Sequence, residues 1–600
     1  MRSAFASSVV VLLLLVACRQ PELPHSPTGL LDASSRRTTS LGDVVGAAAP
    51  FETHSWLGIP FAAPPTGTLR WRAPRAPHAW DGTREALADT PACIQFDPRE
   101  TGDVMGSENC LYLNVFAPRF LPDEIPSEDA ALPVLFWIHG GGNTVGAPSQ
   151  YDPTRLVNAH QVIVVTTAYR LGTLGWFRHA SLTEPEDSAE DQSGNFGILD
   201  QQVALRWVKQ NIQTFGGDST NVTIFGESAG GRDIAALLAS PLSNDLFQRA
   251  IVQSGAGRTL TPAESEHAID APDPGVEGSS TEILLKLLQQ DGSAEDRAGA
   301  RAQVASWDSE HIARYFRNKT PSELLSAVPR MPMGMYKSPQ MFRDGSVLPE
   351  TDLYTVFAEG RTQPVPAIFG TNRDEDKLFM LGKKSYTWKL FGMPRVRDAA
   401  RYERDAAYRS QLWKARGADE LASAMQRGGR RVYVYRFDWD ELASPAGIDF
   451  PRLLGAAHAL ELPFVFGNFD NFFLGDGALY DEDNALSRAA LSQAMMSYWV
   501  QFARTGDPAR GLRGELPEWR GWRAKDAAPE FLVLDSQADG GIRMERGRIS
   551  AREIIAAVRE DDTFKAGERC FVLDEMAKPG DLFDRSDLLA EGCPAQLATR

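Results

Sequence analysis

The chain has 600 residues, of which 43% are hydrophobic and 24% charged, with a formal net charge of -17. This is the composition of a globular protein, long enough for one large α/β core carrying insertions. The carboxylate excess excludes a nucleic-acid partner, since phosphate binding needs concentrated Lys and Arg; no repeat and no long run of like charge is present.

The N-terminus opens with Arg2 and an apolar run over residues 9–17. That run is too short to span a bilayer and reads as a signal peptide over 1–17. It ends in Leu15-Val16-Ala17-Cys18, which resembles a bacterial lipobox, so Cys18 is the expected lipidated first residue of an exported protein held in the cell envelope by that anchor alone. Residues 18–41, rich in Pro, Ser and Thr, read as a flexible tether, and 42–600 as one folded domain. Setting Cys18 aside leaves Cys93, Cys110, Cys570 and Cys593, an even set suited to an oxidising compartment. Of their three connectivities, the local pairs Cys93 with Cys110 and Cys570 with Cys593 are simplest. Zinc is the competing reading, but no metal-binding spacing accompanies these cysteines, and no metal or cofactor is expected.

Beyond the tether, strands and helices alternate. Residues 134–138 and 162–166 read as buried strands, 198–211 as a helix and 222–225 as another strand. The rhythm predicts a mostly parallel sheet with helices on both faces. The last strand runs into Gly226-Glu227-Ser228-Ala229-Gly230, followed by an apolar helix. A bare G-x-S-x-G arises by chance roughly a quarter of a time in a chain of this glycine content, so context must decide. Strand, tight turn and helix is the frame that presents a nucleophilic serine; an ordinary βα turn is the plain alternative.

A serine nucleophile needs a base, and the base an orienting acid. In this architecture the order is serine, acid, histidine. Of the histidines after Ser228, His267 lies in a polar insertion and His311 on the exposed face of an amphipathic helix, whereas His458 sits in "LLGAAHALELPFVFG" among small and apolar residues. His458 is therefore the expected base. The acid falls in "VPAIFGTNRDEDKLF", where a short strand ends in Asp374, Glu375 and Asp376. Upstream, "VLFWI" at 134–138 runs straight into His139-Gly140-Gly141-Gly142, a glycine run whose N–H groups suit an oxyanion, joined by the amide of Ala229.

With these residues in place the chain resembles the type-B carboxylesterases, the carboxylesterase and cholinesterase branch of the α/β-hydrolases. The likeness extends from about residue 56 to about 508 through "WLGIPFAAPPTGTLRW", "SENCLYLNVFAP", "GNFGILDQQVALRWVKQNIQTFGGD", "GESAGG", "IVQSG", "GTNRDED", "GAAHALELPFVFG" and "FARTGDP". The resemblance implies an α/β-hydrolase fold with a large insertion between nucleophile and acid, at about 256–350. It implies a Ser228–Glu375–His458 triad, oxyanion donors at Gly141, Gly142 and Ala229, and Ser254 holding the acid. A Cys93–Cys110 disulfide and the ion pairs Arg70–Glu108 and Arg170–Asp200 follow from it as well. The expected reaction is hydrolysis of a small-molecule carboxylic ester through an acyl-enzyme. An amide- or carbamate-directed relative, or a non-catalytic binding member, are the alternatives. The chain departs from the family at Asn143, Arg232, Asp233 and Asp376, and has no Trp between Cys93 and Cys110 to hold a choline group. Met331, Met333, Met335 and Met341 fall where relatives line the acyl side of the cleft; core packing is the other reading.

Overall fold

The computed structural model describes residues 29–99, 102–255, 259–470, 478–523, 525, 530–565, 567–577 and 592–593. The segment expected as a signal peptide and Cys18 lie outside these. Eleven strands form the main sheet: β1 Ala47–Ala49, β2 Thr53–Pro60, β3 Tyr112–Pro118, β4 Leu132–Ile138, β5 Ile163–Thr167, β6 Gly217–Glu227, β7 Arg249–Gln253, β8 Ala367–Asn372, β9 Val432–Phe437, β10 Glu530–Leu534 and β11 Arg543–Arg546. Their spatial order is 1-2-3-5-4-6-7-8-9-10-11. The block from β5 to β10 is parallel throughout, and antiparallel strands close both ends.

The central strands are apolar on both faces, as a parallel sheet covered by helices requires. In β4, Val134, Phe136 and Ile138 enter one core while Leu135 and Trp137 enter the other. β9 divides likewise, with Val432 and Val434 on one side and Tyr433, Tyr435 and Phe437 on the opposite one. The helices α1 Phe196–Asn211, α2 Ala229–Ala239, α3 Ala399–Lys414, α4 Ala485–Thr505 and α5 Glu568–Ala577 include those that cover the sheet. Between β7 and β8 the described part of the insertion includes the helices Pro262–Glu266, Ser280–Gln290, Arg297–Ser306, Ser309–Asn318 and Pro321–Ser326. Among the described residues no helix is long and apolar enough to cross a membrane.

Of the segment expected as a tether over 18–41, the described residues begin at 29 and part of them is folded. Ala33–Ser35 forms a 3-10 turn capped by Asp32, and Arg37–Thr39 pairs with Gly42–Val45. Polar side chains hold this segment, which is why no apolar periodicity marks it. The Trp56 indole donates to Ser35 O at 2.8 Å, Gly46 N donates to Ser35 Oγ at 2.7 Å, and the Arg37 guanidinium lies 5.2 Å from the Trp56 ring centre.

Both local disulfides, Cys93–Cys110 and Cys570–Cys593, are present. So are the two ion pairs. Arg70 Nε donates to Glu108 at 2.7 Å, and buried Arg170 grips Asp200 through Nε and Nη2 at 2.8 and 2.7 Å.

Candidate active site

Ser228 stands between the end of β6 and the first residue of α2, with φ 57° and ψ -118°. A non-glycine residue there is strained and is kept by its surroundings. Those surroundings are tight. A Cβ on Gly230 would come within 2.1 Å of Ile138 O, and one on Gly226 within 2.6 Å of the same oxygen. Only glycine at both places lets α2 press against β4 and hold the elbow. The Ser228 N–H donates to Gln253 O at 2.9 Å, fixing the turn to β7.

β8 ends at Asn372, and the next turn carries the three adjacent carboxylates. They have three different tasks. Glu375, fully buried, accepts from His458 Nδ1 at 2.5 Å, from Ser254 Oγ at 2.5 Å and from Asn372 N at 2.8 Å. Asp374 accepts from the Ala456 amide at 3.1 Å and from Arg373, so it joins this turn to the histidine loop. Asp376 faces away, toward Arg409 Nε at 2.7 Å. Arg409 Nη1 in turn donates to Glu575 of α5 at 2.9 Å.

The His458 ring is wedged against Trp413 and Phe379, with centroids 4.6 and 5.2 Å away. Its Nε2 lies 3.0 Å from Glu227 Oε1, although that oxygen has no aligned hydrogen-bond donor. Among the described residues no hydrogen bond joins the Ser228 hydroxyl to the ring. The structure thus brings His458, Glu375 and Ser254 into one bonded chain, and sets Ser228 beside it as the neighbour of Glu227. Such bonds are often loose before substrate arrives.

Glu227 and Glu461 are absent from the sequence reading. Glu461 accepts from Asn372 at 2.7 Å and from Gln253 at 3.1 Å. Burial pushes both carboxyls up, Glu227 to about 8, against the opposing pull of His458. For His458, burial favours the neutral ring, but the nearby carboxylates Glu227 and Glu375 outweigh it and the net shift is upward. Glu227 is the variable residue of G-x-S-x-G and Glu461 lies three positions past the histidine, so only the order of the motifs could have pointed to them.

Gly141 and Gly142 take φ +99° and +64°, and among the described residues nothing accepts from their N–H groups. Ala229, at the first turn of α2, presents a third amide. The loop is held from behind. Gly172 N donates to Asn143 O at 2.6 Å, Tyr169 OH to His139 O at 2.6 Å, and the Gln340 amide to Gly142 O. Asn143 Nδ2 donates to Asp233 Oδ1 at 2.7 Å, and Gln201 Nε2 to Asp233 Oδ2 at 2.6 Å. Of the four methionines, Met335 abuts the glycine loop, its Sδ 3.1 Å from where a Gly142 Cβ would stand. Met341 is fully buried in the core, Met333 is half-buried and Met331 is 43% exposed.

Comparison with known proteins identifies the family. The model of the carboxylesterase family matches residues 33–390 and 397–550. The chain belongs to the carboxylesterase family. It is 36% identical over 521 residues to the para-nitrobenzyl esterase of Bacillus subtilis (strain 168), covering 83% of this chain and 94% of that protein. It is 30% identical over 595 residues to the human cocaine esterase, covering 89% and 94%. A solved para-nitrobenzyl esterase structure superposes with a TM-score of 0.62 at 32% identity, covering 86% of this chain and 98% of the other. The fold is that of the α/β-hydrolases, and the protein is a carboxylic-ester hydrolase.

Proposed function

We propose that this carboxylesterase works through Ser228, His458 and Glu375 by way of an acyl-enzyme. The observation that carries the reading is the Nδ1 contact of 2.5 Å from His458 to Glu375. It fixes the imidazole so that Nε2 is the nitrogen left to take the serine proton. Ser228 attacks the ester carbonyl, and the proton passes to His458 Nε2. The oxyanion gathers the amides of Gly141, Gly142 and Ala229. As the alcohol departs it takes the proton back from His458. Water then repeats the sequence on the acyl-Ser228 ester and releases the acid. Glu375 steadies the transient imidazolium, and Ser254 and Asn372 keep Glu375 in place.

A fluorophosphonate probe tests this directly. Wild type should be labelled on Ser228 and Ser228→Ala should not; an unlabelled wild type would return the chain to a binding role. The curated relatives are named for esters of different shapes, so a panel of p-nitrophenyl esters of graded acyl length is the matching substrate test. Met335 lies beside the glycine loop, and Met335→Trp should penalise long acyl chains more than acetate.

We further propose that the enzyme is exported and held to a membrane by a diacylglyceryl group on Cys18. Metabolic labelling with a fatty acid should mark wild type and spare Cys18→Ser; equal labelling would refute the anchor.

A further inference from the structure

Between the Glu375 turn and α3 the chain forms a small ribbon, Thr387–Leu390 paired antiparallel with Met393–Val396. Its two-residue turn is Phe391-Gly392, with φ +50° and +83°. Both central residues of this turn class have positive φ, and Asn or Asp is the residue that fits the first place without strain. A phenylalanine stands there instead, 92% exposed, the most exposed large apolar side chain of the described residues. Trp388 is 42% and Leu390 39% exposed. Register puts Trp388 opposite Arg395 and Leu390 opposite Met393, so these four share one face of the ribbon. The other face is anchored, with Thr387 buried and Val396 packed on the core.

Folding does not account for such a tip, since neither backbone strain nor exposure of three large apolar groups stabilises the chain. The charge around it is equally uneven. Residues 383–397, "KKSYTWKLFGMPRVR", hold five cations and no carboxylate, in a chain whose formal charge is -17. Lys383 is paired with Glu575. Lys384, Lys389, Arg395 and Arg397 have no carboxylate partner among the described residues. The family match stops at 390 and resumes at 397, so residues 391–396 fall outside the shared pattern.

We propose that this ribbon docks on an anionic lipid bilayer, with Phe391, Trp388 and Leu390 entering the interface and the four cations meeting lipid headgroups. Aromatic rings with one apolar body suit that zone, and basic residues beside them add attraction to anionic lipid. The chain as a whole, at a formal charge of -17, is repelled by anionic lipid, so the basic ribbon favours one orientation. The anchor proposed on Cys18 makes the encounter local. Cys18 and Gly29, the first described residue, are 11 positions apart, which spans at most about 40 Å. The ribbon leaves the same segment that carries Glu375 and Phe379, so docking takes place next to that segment.

The test places a polarity-sensitive NBD group on Phe391→Cys, in a full chain that also carries Cys18→Ser, and adds vesicles of phosphatidylcholine with or without 30% phosphatidylglycerol. The expected result is a blue shift and a several-fold rise in emission with the anionic vesicles, weakened by salt and by Lys384→Gln with Lys389→Gln. The same label on Leu486→Cys, an exposed site elsewhere, should stay unchanged. Phe391→Ser should turn over a soluble ester like wild type, which shows the fold intact. No shift at 391, or an equal shift at 486, overturns the proposal. So does a dimer that Phe391→Ser dissociates, which would give the ribbon to a second copy. Because the label reports insertion without the lipid group, loss of the Cys18 anchor and failure of the ribbon give separate results.

Discussion

Asn143 Nδ2 donates to Asp233 Oδ1 at 2.7 Å across 90 residues of sequence. Each of the two departs from the family pattern, and each accounts for the other. Asn143 extends the glycine loop beneath Gly142, and Asp233 lies on α2 five residues past Ser228. The pair therefore ties the glycine loop to the helix that follows Ser228. Burial pushes the Asp233 carboxyl up to about 7, against Asn143, Gln201 and Arg232, which favour its charged form.

Removing either partner should misplace the oxyanion donors. Asp233→Ala leaves the buried amides of Asn143 and Gln201 without an acceptor, at about 1–3 kcal/mol each. We expect kcat to fall about ten- to a hundredfold with KM little changed, and Asn143→Ala with Asp233→Ala to cost less than the product of the single effects. Steady-state kinetics on the four proteins, with thermal melts, decide it. Fully multiplicative losses would mean that the two residues act apart.

Glu375→Gln should lose on the order of 10⁴ in turnover, the scale at which amide replacement of an orienting carboxylate disturbs the imidazole. Asp374→Asn should keep turnover within about tenfold but lower the melting temperature, because Asp374 joins the acid turn to Ala456. Reversed phenotypes would transfer the orienting role to Asp374.

We expect Glu227 to govern the acid limb of the pH profile. Its charge raises the His458 pKa, so the neutral base is lost as pH falls through that raised value. Glu227→Gln removes the pull, the ring stays neutral to lower pH, and the acid limb of kcat/KM should move down by about one unit. A limb that stays put would show Glu227 to be neutral in the working enzyme.

Arg409→Met leaves Asp376 without its cation, while Glu575 keeps Lys383. Breaking a buried pair on one side costs about 3–5 kcal/mol, readable as a fall in melting temperature. Adding Asp376→Gly, which removes the stranded carboxylate, should recover part of it. If the single variant melts like wild type, Arg409 has no part in holding the turn.

Much of this was legible in the sequence, and the limits are physical. The elbow, the glycine run and the acid turn are local, each written in one short segment next to a strand. His458 was found by chain order and its small neighbours. Trp413 was not, because its packing against that ring joins residues 45 positions apart by way of α3. Asn143, Asp233 and Asp376 stood out as departures, but nothing in the sequence pairs them with Gln201 or Arg409, which lie far off along the chain. The segment at 29–41 read as a tether because hydrogen bonds, and not apolar side chains, seat it.

The ion pair between Arg409 and Glu575 ties the acid turn to an element made late in synthesis. Synthesis proceeds from the N-terminus, and folding follows it. Ser228 and the strands around it are made hundreds of residues before α5, whose Glu575 holds the far side of the guanidinium that faces Asp376. A polypeptide cut before residue 575 should keep Arg409 on Asp376 but lose the carboxylate that fixes that cation from behind, and its turnover should fall as the acid turn is less firmly seated.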